Sequence, residues 1–521
     1  MNGFPLLSVL TFLPLAGAVA VWLLGAGDRT RARTVALASA LLTLVGAGFL
    51  WRAYDPAITG AQFTERHDWM PSLGAQYFVG VDGLGVLMVL LTALVIPMAV
   101  VVAWEVTENA AAYFALVLLL ESGLIGTFTA LSFLHWFVYW EFCLIPAFFL
   151  IKLWGGPRRG AAATQFFVYT MVGSVALLLA FLAVYLAVGS FDFLDLAAKG
   201  RSGELARALT AKLTLPAWTG IEQRHLPVVV FGLAFLGFAV KVPVIPFHTW
   251  LPTTYAEAPT GVTMLLTGLL SKMGVYGLLR LVLPIFPDQI RVVLTPLLWL
   301  SVATIVLSAF AAFAQRDLKR VFAYSSINHL GYCVLGIFAA AAATPADAAW
   351  DTEKAAALNG VLLQLFNHGL TAAILFAGLA FLEQRAAGAR GIDDFGGLRR
   401  VAPIFCGLFG IAVFASLGLP GLNGFVGEFL IFKGVFPLAT WAAALAAIGL
   451  LITAVFLLTV LQRVFNGPLN EKWARLPDLS TRERLLLAPA AALMLLLGLC
   501  PQLLIGHFNP TVMRLVEHLK F

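Results

Sequence analysis

The residues of this chain able to do chemistry are charges and imidazoles set into apolar runs: Glu141, Lys241, Lys272, His329, His368 and Glu428. Lys241 lies in VVVFGLAFLGFAVKVPVIPFHTWLP, a run long and apolar enough to cross a membrane. A lysine at the centre of such a run costs about 3 kcal/mol to insert. Pro243 and Pro246 follow within five residues. Proline removes helical hydrogen bonds and opens backbone that is tolerated where it lines a polar cavity. The chemistry this set suits is proton or ion transfer through a membrane. Glu141, in FLHWFVYWEFCLIPAFFLI, is the natural partner of Lys241. Unit charges ~7 Å apart interact by roughly 2 kcal/mol at an effective dielectric near 20. Moving a partner in or out of range would load or unload a proton. The bland alternative is a fixed ion pair that pins two helices. Function is favoured because intramembrane ionisable residues are usually functional.

Lys272, in TGLLSKMGVYGLL, has Thr267, Gly268 and Ser271 beside it. A buried lysine suits a proton relay. It sits mid-span, where snorkelling to the interface does not reach. Glu428 lies in SLGLPGLNGFVGEFLIF, where Gly418, Gly421, Gly424 and Gly427 recur every third residue around Pro420. That spacing permits either close helix packing or local unwinding. His329 has Ser325 and Asn328 nearby, and His368 has Gln364 and Thr371. A lone buried histidine is more often structural. Two of them, between Lys272 and Glu428 in sequence, favour a relay. Glu121 is an auxiliary buried acid, a candidate for pairing across a helix interface or between subunits. Asp82, in VGVDGLG, opens a span, where an acid also suits the helix dipole. Arg280 and Lys433 stand nearer span ends, and snorkelling is their default reading.

The elements that must position these residues are transmembrane helices. The chain has 521 residues, 61% hydrophobic and 12% charged, with a net charge of +6. That composition excludes an ordinary soluble domain and predicts an all-α polytopic membrane protein. About fourteen spans are expected: 5–25, 34–51, 79–103, 111–130, 132–152, 166–188, 226–247, 257–283, 293–314, 321–342, 355–382, 403–436, 440–464 and 485–504. The twelfth is too long for one straight helix. The N-terminus lacks a basic leader and reads as a retained first span. Basic residues cluster in loops following odd-numbered spans, including Arg29, Arg31 and Arg33, Lys152 and Arg158, and Arg316, Lys319 and Arg320. The positive-inside rule therefore places both termini outside. The loop 189–225 is long enough for the rule to discount it.

Lys241 and Glu428 are 187 residues apart and Glu141 and His329 are 188 apart. With broken helices in both halves, this spacing suggests two inverted repeats. The expected organisation is 1–110 as helices 1–3, 111–283 as a first repeat of helices 4–8, 284–464 as a second repeat of helices 9–13, and 465–521 as helix 14 and a tail. Cys143, Cys333, Cys406 and Cys500 are scattered singly, which argues against an iron–sulfur cluster, a zinc site or a disulfide framework. No Cys, Asp or second His stands at metal-ligand spacing from the two histidines. GVDGLG opens an apolar span rather than a βαβ unit, so dinucleotide binding is not expected. No nucleophile–histidine arrangement has credible context, and no cofactor or nucleic acid is expected on this chain.

KVPVIPFHTWLP followed by YAEAPTGVTMLLTGLLSKMGVYGLLR resembles the signature of the antiporter-like subunits of respiratory complex I, the proton-translocating NADH:quinone oxidoreductase. VGVDGLG, WFVYWEF, GGPRRGAAATQFFVYTMVGSVALLL, SSINHLGY, FNHG and LPGLNGFVGEF follow the family's order, so the resemblance covers nearly the whole chain. It implies fourteen helices, two inverted five-helix repeats, and broken seventh and twelfth helices. It implies that Glu141 and Lys241 are an ion pair, Lys272 a central relay lysine, His329 and His368 groups on a connecting path, and Glu428 the terminal acid. A glutamate at 428 is similar to the M group, since the sibling groups usually carry lysine there. Thr253 and Tyr255 stand where many members carry Asp and His. The resemblance further implies a bacterial inner membrane, neighbouring antiporter-like subunits as partners, and flavin, iron–sulfur clusters and quinone in partner chains. Catalysis of electron transfer is not expected here. The alternative is a subunit of a multisubunit sodium/proton antiporter or other ion-coupled complex; a membrane scaffold is a third reading.

Overall fold

The computed structural model describes residues 4–519 apart from 59, 215, 343 and 345–347. Among them, twelve helices are long and apolar enough to cross a membrane. Two interrupted segments add to these. Pro403–Leu417 and Asn423–Leu438 divide the expected span 403–436. Thr481–Leu499 and Gln502–Glu517 meet at 60°. With the bent pair counted as one crossing the spans number up to thirteen, against about fourteen expected from sequence. The expected span 485–504 ends early because Pro501 cannot donate to the helix and disfavours helical backbone at Cys500. The seventh span also breaks. Leu226–Lys241 ends at the lysine, and Trp250–Glu257 resumes beyond Pro243 and Pro246.

The expected span 355–382 lies within the 38-residue helix Ala348–Arg385. Its polar ends stay helical because they find partners. Glu353 accepts from Lys433 at 3.0 Å, and Arg385 pairs with Glu483. Three elements had no counterpart in the sequence reading. Gln62–Met70 and Ala75–Val81 form an antiparallel hairpin that pairs His67 with Tyr77. Phe193–Arg201 and Glu204–Lys212 are short helices within the long loop 189–225. Their apolar residues alternate with charges at helical spacing, so each buries one face only.

Burial ranks the helices. The apolar stretches of Thr260–Ile285 and Ala349–Arg385 are wholly covered, and Leu318–Ala340 nearly so. Leu6–Leu24, Arg29–Ala53 and Thr440–Phe465 form the outer wall and expose large apolar side chains such as Trp22, Val45 and Leu451. Lys272, His329 and His368 lie on the three central helices. There a costly charge faces protein rather than hydrocarbon.

Candidate functional site: a chain of buried lysine, histidines and glutamate

Thr260–Ile285 runs unbroken but contains two π segments, Leu266–Leu270 and Leu278–Val282. A π turn disturbs the regular ladder and turns main-chain carbonyls toward side-chain donors. The Thr267 carbonyl accepts from Ser271 Oγ at 2.9 Å and from Lys272 Nζ at 2.6 Å. Lys272 Nζ also lies 2.6 Å from His368 Nδ1 and 3.4 Å from Ser271 Oγ. An ammonium has three protons to place, so His368 Nδ1 accepts one of them. Glycines permit this approach. A Cβ on Gly268 would lie 3.2 Å from the Gly369 carbonyl oxygen, and one on Gly369 would lie 3.0 Å from that of Gly268. The backbones thus meet one turn from Lys272 and next to His368.

The imidazoles of His368 and His329 face each other with centroids 5.1 Å apart, tilted by 44°. His329 Nδ1 lies 2.7 Å from Glu428 Oε1, and its Nε2 lies 3.1 Å from Ser416 Oγ. With the carboxylate ionised, Nδ1–H donates to it and Nε2 accepts from the serine. Gln364 Nε2 donates to the same Glu428 oxygen at 3.1 Å. Lys272, His368, His329 and Glu428 thus form one buried series drawn from four helices. Within it every step except the histidine–histidine step is a hydrogen bond.

The glycines before Glu428 divide between the two roles open in sequence. Gly418 (φ +79°) and Gly421 (φ +91°) form the left-handed turn that splits the helix. Gly424 and Gly427 pack against backbone: a Cβ on Gly427 would meet the Gln364 amide nitrogen at 3.0 Å.

Lys241 ends its half-helix, 3% exposed, with Nζ 4.5 Å from the centroid of Trp140. Trp140 Nε1 donates to Ser174 Oγ at 2.9 Å, which fixes the ring. Glu141 and Cys143 are its electrostatic neighbours, but no ion pair joins Glu141 to Lys241 among the described residues. Glu141 is half-buried on a face that also exposes Val138 and Ile145, and its Oε1 has no hydrogen-bond partner. Gly274 on the relay helix packs against this break, since its Cβ would lie 3.2 Å from Lys241 Cβ. Lys241 and Glu428 are not equivalent about their breaks. Lys241 precedes its gap, whereas Glu428 is the sixth residue after the other.

Several readings are corrected. Arg280 does not snorkel: it binds Asp82 through Nη1 at 2.7 Å and Nη2 at 2.6 Å, and Asp82 also caps its helix at Leu84 and Gly85. Lys433, by contrast, is exposed as the snorkelling reading expects, and it pairs with Glu353. Glu121 is wholly buried, and neither of its oxygens has a hydrogen-bond partner among the described residues of this chain. Asn328 turns away from His329, donating to the Ile305 carbonyl and accepting from Thr453. Thr371 serves Asn423. Ser416, which does bind His329, comes from 87 residues away, and nothing in its local sequence marks it. Among the described residues no group of three or more His, Cys, Asp or Glu could hold a metal ion.

The family description "NADH:quinone oxidoreductase/Mrp antiporter, TM" matches residues 130–453. NADH-quinone oxidoreductase subunit M of Rhodobacter capsulatus is 37% identical over 519 residues, covering 98% of this chain and 96% of that one. The protein of the same name from Mycobacterium tuberculosis (strain ATCC 25618 / H37Rv) is 33% identical over 548 residues, covering 98% and 94%. A chain of respiratory complex I from Thermus thermophilus with bound NADH superposes with a TM-score of 0.83 at 27% identity, over 99% of this chain and all of that one. A chain of the Mrp complex from Dietzia shares the fold at a TM-score of 0.77 and 20% identity, over 98% of this chain and 100% of that one. The chain belongs to the NADH:quinone oxidoreductase/Mrp antiporter family of transmembrane proteins, in its subunit M branch.

Proposed function

We propose that this chain is a proton-translocating membrane-arm subunit of a complex I-type NADH:quinone oxidoreductase. The observation that carries the reading is the buried series Lys272–His368–His329–Glu428, held by contacts of 2.6 and 2.7 Å. Proton transfer between buried groups needs donor and acceptor within hydrogen-bond reach, and here Lys272 reaches His368 and His329 reaches Glu428. Lys241 stands upstream, steadied by Trp140. The half-buried Glu141, on a face that exposes Val138 and Ile145, suits contact with a neighbouring antiporter-like subunit. Movement of that acid relative to Lys241 would transmit the drive. Residues 111–283 and 284–464 would act as the two repeats. Electron transfer, flavin, iron–sulfur clusters and quinone are assigned to partner chains. The membrane is the bacterial inner membrane, with the basic loops inside and both termini outside.

Membrane vesicles carrying the assembled complex test this. Lys272→Met, Lys241→Ala and Glu141→Ala should each lower NADH-driven proton uptake at least about tenfold. Normal pumping in an assembled complex with any of these changes refutes the mechanism. The second reading, an ion-coupled antiporter subunit, rests on the fold shared with the Mrp chain. Co-purification separates the two, because only the first brings flavin and iron–sulfur subunits along.

A further inference from the structure

We propose that the cleft between Arg29–Ala53, Gly83–Val102 and Thr481–Leu499 binds one anionic phospholipid, its phosphate on Arg482 and Arg33 and an acyl chain along the cleft. The cleft encloses about 780 Å³, within the range of small-molecule sites. Leu41, Leu94, Met98, Leu486 and Leu493 stand in its walls. Leu370 of the central helix Ala348–Arg385, two residues from His368, also lines it. Arg482 alone among the lining residues is charged, and the rest are apolar. From Arg482 to Leu493 is eleven residues, about 16 Å along a helix. One leaflet is half of a hydrocarbon core about 30 Å thick. The cleft therefore runs the depth of one leaflet, with its charge at the polar end.

Two guanidinium groups gather there at one indole. Arg33 Cζ lies 4.8 Å from the Trp104 ring centroid and Arg482 Cζ lies 5.9 Å from it. Tryptophan favours the headgroup level of a bilayer. Arg33 Nη1 donates to the Trp104 carbonyl at 3.0 Å, while its Nε is buried and has no hydrogen-bond partner. Arg482 Nη2 pairs with Glu105 at 2.7 Å, but these side chains are 39% and 63% exposed. An exposed pair contributes little, so a phosphate readily takes the place of that carboxylate. One carboxylate against two guanidiniums leaves the mouth positive. Arginine suits phosphate through its paired N–H donors. Basic pockets between transmembrane helices on the cytoplasmic side are usual seats for anionic headgroups. This end of the bundle bears the basic loops, including Arg29 and Arg31.

The bland account is ordinary solvating lipid, which covers any apolar wall such as the one that exposes Leu451. That account needs no charge at the polar end and no preference among headgroups. It leaves two arginines at one ring unexplained, with a buried donor of Arg33 unsatisfied, which is costly. A helix from a neighbouring subunit would fill the apolar walls but would bring no phosphate to the arginines. A bound chain would cover Leu370 and keep water off that stretch of the helix that carries His368.

The test uses the assembled complex in phosphatidylcholine vesicles doped with a phospholipid that carries a photoreactive group on one acyl chain. The probe is phosphatidylglycerol in one arm and phosphatidylcholine in the other. Labelled peptides are mapped by mass spectrometry. The anionic probe should label 37–44, 94–101 and 485–493 at least about tenfold more than the zwitterionic one, the preference expected of two arginines at the inner leaflet. Arg33→Gln/Arg482→Gln should abolish that preference. Equal labelling by the two probes in the parent complex overturns the site and leaves only solvating lipid. No labelling by either probe overturns it in favour of a neighbouring subunit's helix. A preference that survives the double variant overturns the role of the arginines. Should that variant fail to assemble, Leu41→Trp decides: Leu41 is 44% exposed, and a larger side chain there fills the cleft with both arginines intact. Labelling of 485–493 by the anionic probe should then fall about tenfold, and unchanged labelling refutes a chain in the cleft.

Discussion

The close approach of two glycines makes the relay testable by steric increments. At Gly268 an added Cβ would lie 3.2 Å from the Gly369 carbonyl oxygen, 3.6 Å from Val95 Cγ1 and 3.7 Å from Ala373 Cβ. Alanine therefore asks for a few tenths of an ångström. Valine adds methyl groups about 1.5 Å further out. Restoring ordinary contact then separates the helices by about 1 Å, within the range where overpacking costs about 1–3 kcal/mol. The Lys272 Nζ–His368 Nδ1 distance, 2.6 Å now, would open to about 3.6 Å, beyond hydrogen-bond range. A hydrogen bond to a charged group contributes about 1.5–3 kcal/mol. Its loss in the rate-limiting transfer slows pumping by about 10- to 150-fold. The assay is NADH-driven proton uptake, normalised to assembled complex. Gly268→Ala should pump close to the parent rate and Gly268→Val should not. A Gly268→Val complex that assembles and pumps normally refutes the claim that this contact positions the relay.

Trp140→Leu removes a desolvated cation–π contact that is worth about 2 kcal/mol to the Lys241 ammonium, so pumping should fall about 30-fold; Trp140→Phe should lose less, and equal rates for the two contradict the role assigned to the ring. Asp82→Asn leaves Arg280 buried beside a neutral group. The expected cost of about 3–5 kcal/mol should lower the melting temperature of the complex, with partial recovery in Asp82→Asn/Arg280→Gln; an unchanged melting temperature in the single variant counts against a buried pair. Gly418→Ala places a side chain at φ +79° and a Cβ 3.0 Å from Glu428 Oε2, which costs about 1–2 kcal/mol. The control Gly410→Ala, inside a helix and with no heavy atom within 4 Å of its added Cβ, should lose no stability in the same measurement.

Most of the spans were legible because apolar length is a strong and local signal. The break after Lys241 was legible for the same reason, through Pro243 and Pro246. Gly418 and Gly421 announced the second break, but four glycines of one spacing could not say which would unwind and which would pack. The six relay residues stood out because a charge in an apolar run has no ordinary excuse. Their partners did not. Ser416 and Trp140 are unremarkable in sequence and acquire meaning only when distant helices meet. Asn328 and Thr371 looked like relay neighbours by spacing, yet spacing along one helix says nothing about which face its neighbours offer. The hairpin 62–81 was missed because its mixed polar and apolar residues carry no sustained alternation, and the π segments because no local composition marks them. Lys319 was passed over as a loop charge, since the orientation rule counts basic residues near span ends without asking whether they are buried.

The series is not uniform, and its interruptions bear on coupling. Lys272 to His368 and His329 to Glu428 are hydrogen bonds of 2.6 and 2.7 Å, whereas the imidazoles stand 5.1 Å apart by centroid with no hydrogen bond between them. Lys241 and Lys272 are likewise joined by packing at Gly274, with no hydrogen bond between them among the described residues. A hydrogen-bonded wire open to both faces would pass protons down their gradient and dissipate the energy it should store. A pump needs links that close only in turn. The two short bonds are therefore suited to hold a proton, and the two gaps to decide when it moves. Control is cheapest at the gaps, because a water entering or leaving between the imidazoles opens or closes the path without breaking the bonds that hold them to Lys272 and Glu428. The Lys241 gap lies nearest the half-buried Glu141 and the surface that exposes Val138 and Ile145. On the proposed reading, a signal from a neighbouring subunit would reach that gap before the histidine gap, because Glu141 neighbours Lys241 and not the histidines.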